Sequence, residues 1–422
     1  MSTKTLRGMR DILPDETPLW QRAEAVARDF LARYGFEEIR TPIVEEAKLF
    51  SRTLGETTNV VEKEMYEFSD REGRELVLRP EATASVVRAY IEAGRAQNDP
   101  IARYYYIGPM YRYERPQRGR YREFLQLGVE VLGVASPLID AEVIHMLGKY
   151  FAAVGLKQYE LQINSLGCPL CRPKFIDAFK AFLALHKAAL CNDCQRRMDR
   201  NPLRTLDCQE EGCRTLTESA PSIQEFLCKG CEKHMDEVLT GLGDLGSSYK
   251  INPRIVRGLD YYLKTTFEFV CADLGAQKAV AGGGRYDGLV AGLGGPNSPG
   301  FGVAVGLDRL VELLKMQEAV VPVKSPLVFL VPLGVKAMRE SYRLQEELRA
   351  QGMRAGLDYE GRSLKAQMRQ ADKLGAAWVV ILGDDEIKAE AAVVKEMATG
   401  KQKNVPLKGL VQELNREIHR RT

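Results

Sequence analysis

Apolar residues repeat with helical spacing from Pro18 to about Tyr34, where Trp20, Ala23, Val26, Ala27, Phe30 and Leu31 fall on one face. Gly35 follows where glycine commonly ends a helix, since it takes a left-handed backbone without strain. The rhythm then shortens. FEEIRTPIVEE, EMYEFSD, RELVLRP, ARYYYIGPMYRYE and REFLQLGVEVLG are β-type runs, each bounded by Pro, Gly or charge. Adjacent strands with few helices between them predict an antiparallel sheet. From about Cys168 to Gly246 the chain is polar and helical in pattern, and reads as an insertion. The strand pattern resumes in YKINPRIVRGLDYY, TTFEFVCADL and AVAGGGRYDGLV, before VAVGLDRLVELLKM closes the region as a helix.

Pro322 and Pro326 mark a break, and a different alternation begins after it. VFLVPL, MRAGLDY and WVVILG read as buried strands separated by the helical stretches VKAMRESYRLQEELRAQ and SLKAQMRQADKLG, the pattern of a parallel sheet. The predicted fold is therefore an α+β domain on an antiparallel sheet over 1–322, interrupted by a helical insertion at about 168–246, followed by a small α/β domain over 323–422.

Composition sharpens this only a little. With 422 residues, 45% of them hydrophobic, the chain can bury two cores, and disorder is not the default. No apolar run reaches the about 20 residues that span a bilayer, and MSTKTLRGMRDILPDE lacks an apolar secretory segment, so a cytoplasmic protein without a membrane partner is expected. The net charge of +3 is uneven: 18 basic against 13 acidic residues from Val323 onward, 42 against 44 before it. A positive tail fits a polyanionic partner, although scattered surface charge gives the same count.

The most informative segment is YRYERPQRGRYREFLQLGVEVLG. Arg112, Arg115, Arg118, Arg120 and Arg122 crowd a turn at Pro116 and Gly119, with Glu114 and Glu123 among them. Guanidinium groups repel one another unless an anion sits between them, and their forks suit phosphate oxygens. A nucleoside triphosphate meets that need; an exposed basic hairpin is the plain alternative. In the strand that follows, period two puts Gln126, Gly128 and Glu130 on one face, so an amide and a carboxylate stand side by side with no side chain between. Together they could hold an ammonium and an imidazole N–H.

At this point the segment resembles motif 2 of class II aminoacyl-tRNA synthetases, in the form found in histidyl-tRNA synthetases. The resemblance implies that Arg112 contacts the ATP α-phosphate, Glu114 the adenine and Arg120 the outer phosphates, while Gln126 and Glu130 hold histidine. Upstream, LRPEATASVVRAY is similar to the family segment RPEGTA, whose Glu and Thr bind the amino acid, which implies Glu81 and Thr83 here. A first-turn carboxylate serving the helix dipole is the simpler reading of Glu81. Downstream, VRGLDYYLKTTFEF resembles the histidine-specific signature and carries Arg257, Asp260, Tyr261 and Tyr262. It implies that Arg257 faces the α-phosphate from the side opposite Arg112, and that the two tyrosines line the imidazole pocket. In GGGRYDGL, Gly282, Gly283 and Gly284 permit close backbone approach to a ligand, with Tyr286 a further pocket residue. GFGVAVGLDRLVELL resembles motif 3, whose Arg309 would hold the γ-phosphate and stack on adenine. Motif 1 is a looser match in FEEIRTPIVEE with Pro42, and implies a homodimer. Three positions depart from the family: Ala82 stands where glycine is usual, and Tyr113 and Leu125 where histidines are common.

Eight of the nine cysteines lie in the insertion. Cys168 with Cys171, Cys191 with Cys194, and Cys228 with Cys231 are C-x-x-C pairs, and Cys208 with Cys213 is a looser fourth, a supply sufficient for two structural zinc sites. Reduced, partly buried thiols are the alternative, since the family fold does not require a metal.

The resemblance spans nearly the whole chain, the tail matching the family's anticodon-binding domain. It implies a ligase that uses ATP and Mg²⁺ to make histidyl-adenylate and then esterifies the terminal adenosine of tRNA(His). Two rivals stand beside it. One is a non-catalytic paralogue that binds histidine as the regulatory subunit of ATP phosphoribosyltransferase, which typically lacks the arginine signature and the tail. The other is a general RNA-binding module, which leaves Gln126, Glu130 and Tyr262 unexplained.

Overall fold

The computed structural model describes residues 3–55, 58, 60–117, 119–257, 259, 261–274, 279–318 and 327–419. Arg118, Asp260 and the Pro322 to Pro326 break lie outside the described residues. The chain divides into two compact units, Met1–Val321 and Pro322–Thr422.

The first unit contains strands β1 (Glu37–Glu38), β2 (Val44–Glu46), β3 (Tyr66–Ser69), β4 (Glu75–Leu78), β5 (Ala102–Tyr111), β6 (Glu123–Leu132), β7 (Glu160–Ser165), β8 (Lys250–Ile251), β9 (Leu263–Val270), β10 (Ala279–Arg285) and β11 (Gly300–Gly306). Eight of them form one sheet in the order β1-β5-β6-β11-β10-β9-β7-β8, and β2, β4 and β3 form a small separate one. The six inner strands of the large sheet are antiparallel, as the short runs predict, but the two-residue edge strands β1 and β8 pair parallel to β5 and β7. The sheet is mixed rather than purely antiparallel because both edges are chain segments arriving from helices, too short to carry a pattern of their own.

Period two sorts the sheet into two faces. Leu127, Val129 and Val131 of β6, Val303 and Val305 of β11, and Phe267 and Phe269 of β9 are buried in one core with residues of helices Thr17–Arg33, Pro137–Val154, Lys229–Asp244 and Leu307–Met316. Truncating a ring such as Phe267 to alanine there costs about 3–5 kcal/mol. The helix predicted from Pro18 runs from Thr17 to Arg33, and buries Trp20, Ala23, Ala27 and Leu31 of the predicted stripe.

Register fixes the other face. Tyr106 pairs with Gly128, Gly128 with Ala304, Ala304 with Gly282, and Gly282 with Glu268, so these share one row. The neighbouring row runs Tyr104, Glu130, Gly302, Gly284 and Thr266. The insertion leaves after β7 and returns into β8, so the sheet is interrupted in sequence and continuous in space.

In the second unit β12 (Leu327–Leu333), β13 (Arg354–Leu357), β14 (Ala376–Gly383), β15 (Ala391–Glu396) and β16 (Gln402–Pro406) form a sheet ordered β13-β12-β14-β15-β16. The three predicted strands are parallel, joined through helices Val335–Ala350 and Leu364–Lys373. Antiparallel β15 and β16 extend the sheet beyond the expected parallel core.

Candidate active site

The open face of the large sheet gathers the polar residues. Glu130 is 1% exposed; its Oε1 accepts a 2.7 Å hydrogen bond from the Thr83 hydroxyl and its Oε2 one from the Tyr286 hydroxyl. Burial pushes the Glu130 carboxyl up to about 8; the two hydroxyl donors oppose that rise and the nearby Glu81 charge adds to it. Glu81 accepts from the backbone N–H of Thr83 at 2.6 Å and of Ala84 at 3.0 Å. Glu81 thus satisfies free N–H groups at the start of helix Thr83–Glu92. The same contacts fix Thr83 against Glu130. Ala82 is fully buried, with its backbone at φ −121°, a conformation open to any residue, so its difference from glycine introduces no strain.

Two glycines keep the face clear. A Cβ on Gly128 would lie 2.0 Å from the Tyr106 ring, and one on Gly302 would lie 1.9 Å from Glu130 Oε2. Only hydrogen at these positions leaves room for the ring and the carboxylate. Tyr261 lies 4.6 Å from Tyr262 and 5.7 Å from Tyr286 between ring centroids, so aromatic walls stand around Glu130. Tyr106, not singled out by sequence, completes them; burial drives its hydroxyl well above the usual phenol range, with the Glu130 and Glu81 charges adding to the rise.

Arginines line the adjoining region. Arg257 lies 5.2 Å over the Tyr262 ring and donates to Glu268 Oε1 at 2.9 Å. Burial works against its charge, but Tyr262, Glu268 and Tyr261 outweigh it and its pKa rises. Arg112 donates from Nε to the Pro80 carbonyl at 2.8 Å and packs 5.5 Å from the Phe124 ring. Burial lowers its pKa and the Arg257 charge lowers it further, while Glu64, Glu81 and Tyr261 oppose. Arg112 and Arg257 thus sense each other's charge. Arg309 donates to the Gly119 carbonyl at 3.2 Å and the Ala279 carbonyl at 2.6 Å, tying the hairpin tip to β10. Arg120 pairs with buried Glu114, and burial together with Arg309 lowers its pKa. Asp207 of the insertion lies within electrostatic reach of Arg257 and Arg120.

Among the described residues, Gln126 Oε1 and Arg257 Nε are buried polar atoms without a protein partner. Each such orphan costs about 1–3 kcal/mol, a cost that a polar ligand removes on binding. Thr83 and Tyr286 thus meet at Glu130, Glu81 holds the backbone of Thr83, Tyr261 packs against Tyr262 and Tyr286, and Tyr262 leads on to Arg257, while Gln126 lies on the same side of β6 as Glu130. Arg115 is exposed and Arg122 stacks 3.6 Å over Tyr113, so neither joins the set. Leu125 packs against the core on the other face.

Six inner antiparallel strands with a glycine-cleared face give the first unit the fold of class II aminoacyl-tRNA synthetases. A family model described as histidyl-tRNA synthetase matches residues 8–172 and 174–310, and one described as anticodon binding domain matches 327–417. Histidine–tRNA ligase of Desulfatibacillum aliphaticivorans is 50% identical over 411 residues, covering 97% of this chain and 98% of that protein. The Geobacter sulfurreducens protein of the same name is 51% identical over 402 residues, covering 95% and 97%. The crystal structure of apo S. aureus histidyl-tRNA synthetase superposes with a TM-score of 0.82 at 37% identity, covering 98% of this chain and 99% of that one. The chain belongs to the histidyl-tRNA synthetase family.

Proposed function

We propose that this chain is a histidine–tRNA ligase whose adenylate-forming site is the open face of the large sheet. The observation that supports the reading is the contact between two groups of residues, Arg257 lying 5.2 Å over the ring of Tyr262, which packs with the tyrosines about Glu130. Histidine sits with its imidazole and ammonium among Glu130, Gln126, Glu81, Thr83, Tyr261, Tyr262 and Tyr286. ATP, entering with Mg²⁺ as the counter-ion of its phosphates, lies among Arg112, Arg120, Arg309 and Arg257, with Glu114 toward the adenine.

A histidine carboxylate oxygen forms a bond to the α-phosphorus while the bond to the bridging oxygen breaks and pyrophosphate leaves. Arg112 and Arg257 hold the negative charge that grows on the phosphorus oxygens, and a donor of this kind contributes about 2.7–4 kcal/mol. In the second step a ribose hydroxyl of the terminal adenosine of tRNA(His) attacks the adenylate carbonyl and AMP leaves. The protein supplies mainly position and charge. The second unit, with the remainder of the tRNA, serves as the anticodon-binding domain, and the enzyme works as a cytoplasmic homodimer. No described helix is long and apolar enough to cross a membrane.

The test is ATP–pyrophosphate exchange with each amino acid in turn. Exchange dependent on histidine alone supports the reading; no exchange with histidine, despite histidine binding, leaves a regulatory histidine-binding protein instead.

A further inference from the structure

We infer that the insertion holds two structural zinc ions, each in a site of four cysteine thiolates. Spacing alone does not say which cysteines share a site, but the fold does. Cys168 and Cys171 converge with Cys228 and Cys231, and Cys191 and Cys194 with Cys208 and Cys213; within each set all four sulfur atoms lie within 4.8 Å of one another.

The separations discriminate among the uses of clustered cysteines. A disulfide brings its sulfurs to about 2.0 Å. Four thiolates about 2.3 Å from a tetrahedral zinc lie about 3.8 Å apart along each edge. The sulfur of Cys168 is 3.8 Å from that of Cys228, and the sulfur of Cys171 is 3.7 Å from those of Cys168 and Cys231. Cys191 and Cys208 are 3.9 Å apart. Reduced thiols that merely fill a core have no reason to point four sulfurs at one centre, because each is a weak donor and a weak acceptor.

The surroundings are those of a thiolate site. Backbone N–H groups point at sulfur, from Cys168 to Cys171 at 3.1 Å and from Cys191 to Cys213 at 3.2 Å, and such donors hold ligand sulfurs in place. Cys228 precedes helix Lys229–Asp244 and Cys191 precedes helix Asn192–Arg200, so positive helix ends face the net negative charge of a zinc with four thiolates. Gly167, at φ +65°, leaves space for the Cys171 sulfur, which a Cβ would approach to 2.8 Å. The ligand set is all sulfur, which selects zinc or iron and not a hard cation.

The two sites do different mechanical jobs. The first clamps the insertion where it leaves the sheet and where it returns. One turn beyond Cys231, His234 Nε2 lies 3.1 Å from Asp140 and 3.0 Å from Thr265, so the clamp holds a helix that reaches the floor of the large sheet. The second closes the outer lobe. Cys194, Cys208 and Cys213 share a core with Leu206, against which Val256, the neighbour of Arg257, also packs.

The test is elemental analysis of the full chain, grown with zinc in the medium and purified without chelator. Wild-type protein is expected to carry about two zinc ions per chain, falling to about one in Cys194→Ser and in Cys231→Ser. Wild-type protein that is folded, as its circular dichroism and cooperative urea unfolding show, yet holds about one zinc or fewer, or holds iron in zinc's place, overturns the assignment. The wild-type measurement decides even where a variant fails to fold, and it is independent of the ligase reading.

Discussion

Replacing Arg257 with alanine removes one guanidinium from the place where, in the proposed mechanism, charge grows during adenylate formation. The structure defines what is lost: a cation 5.2 Å over Tyr262, bonded to Glu268 at 2.9 Å, with its Nε free to meet a ligand. Losing one preorganised donor at a developing oxyanion costs about 2.7–4 kcal/mol, or about 10²–10³ in rate. The fold should tolerate the change. Burial already pushes the Glu268 carboxyl up and Arg257 holds it down, so loss of Arg257 raises it further and makes proton uptake easier, which limits the cost of the lost partner. Single-turnover formation of histidyl-adenylate should therefore slow by that factor, while histidine affinity changes by no more than about threefold, because the interaction strengthens only in the transition state. Arg257→Lys keeps the charge but loses the fork, and should fall between wild type and alanine. An unchanged single-turnover rate in Arg257→Ala, or a loss that high histidine concentrations fully restore, would refute the catalytic role.

Gly128→Ala places a methyl 2.0 Å from the Tyr106 ring, so the ring must shift within the proposed histidine site; stability should drop by about 1–3 kcal/mol in urea unfolding and the histidine KM should rise. The Glu130 carboxyl has its folded-state pKa raised to about 8 from an ordinary 4.5, so the protein without ligand binds more protons folded than unfolded between those values. Its stability contribution is complete below the lower value and is lost as pH rises toward about 8, and Glu130→Gln should flatten that part of the urea-midpoint profile; an identical profile in the variant contradicts the assignment. Tyr113→Ala removes the ring 3.6 Å beneath Arg122, a contact worth about 0.5–1 kcal/mol, and should lower exchange only about two- to fivefold, whereas a collapse of activity would place Tyr113 inside the site.

Local periodicity carries far in this chain, and fails where pairing between distant segments decides. Gln126, Gly128 and Glu130 were legible as one face because a strand alternates, and the structure puts all three on the open side of β6. Tyr106 belongs to an equally regular run, yet its role depends on lying opposite Gly128, a register that two separate strings do not contain. Glu268, Glu64 and Asp207 influence the arginines from other parts of the chain and leave no local mark. β15 and β16 carry little strand signal because AAVVKE and QKNVP are short and interspersed with charge, and the alternation they do have buries only one side. The parallel edges β1 and β8, two residues each, lie below the length at which a pattern exists. The cysteine pairs were visible by spacing, whereas their partnership across the insertion required the fold.

A crystal structure with histidine and a non-hydrolysable ATP analogue tests the central claim most directly. The imidazole should lie within hydrogen-bonding distance of Glu130, and the α-phosphate should lie between Arg112 and Arg257, with guanidinium nitrogens about 3 Å from its oxygens on opposite sides. An α-phosphate that meets neither arginine, or a histidine bound away from Glu130, would contradict the account.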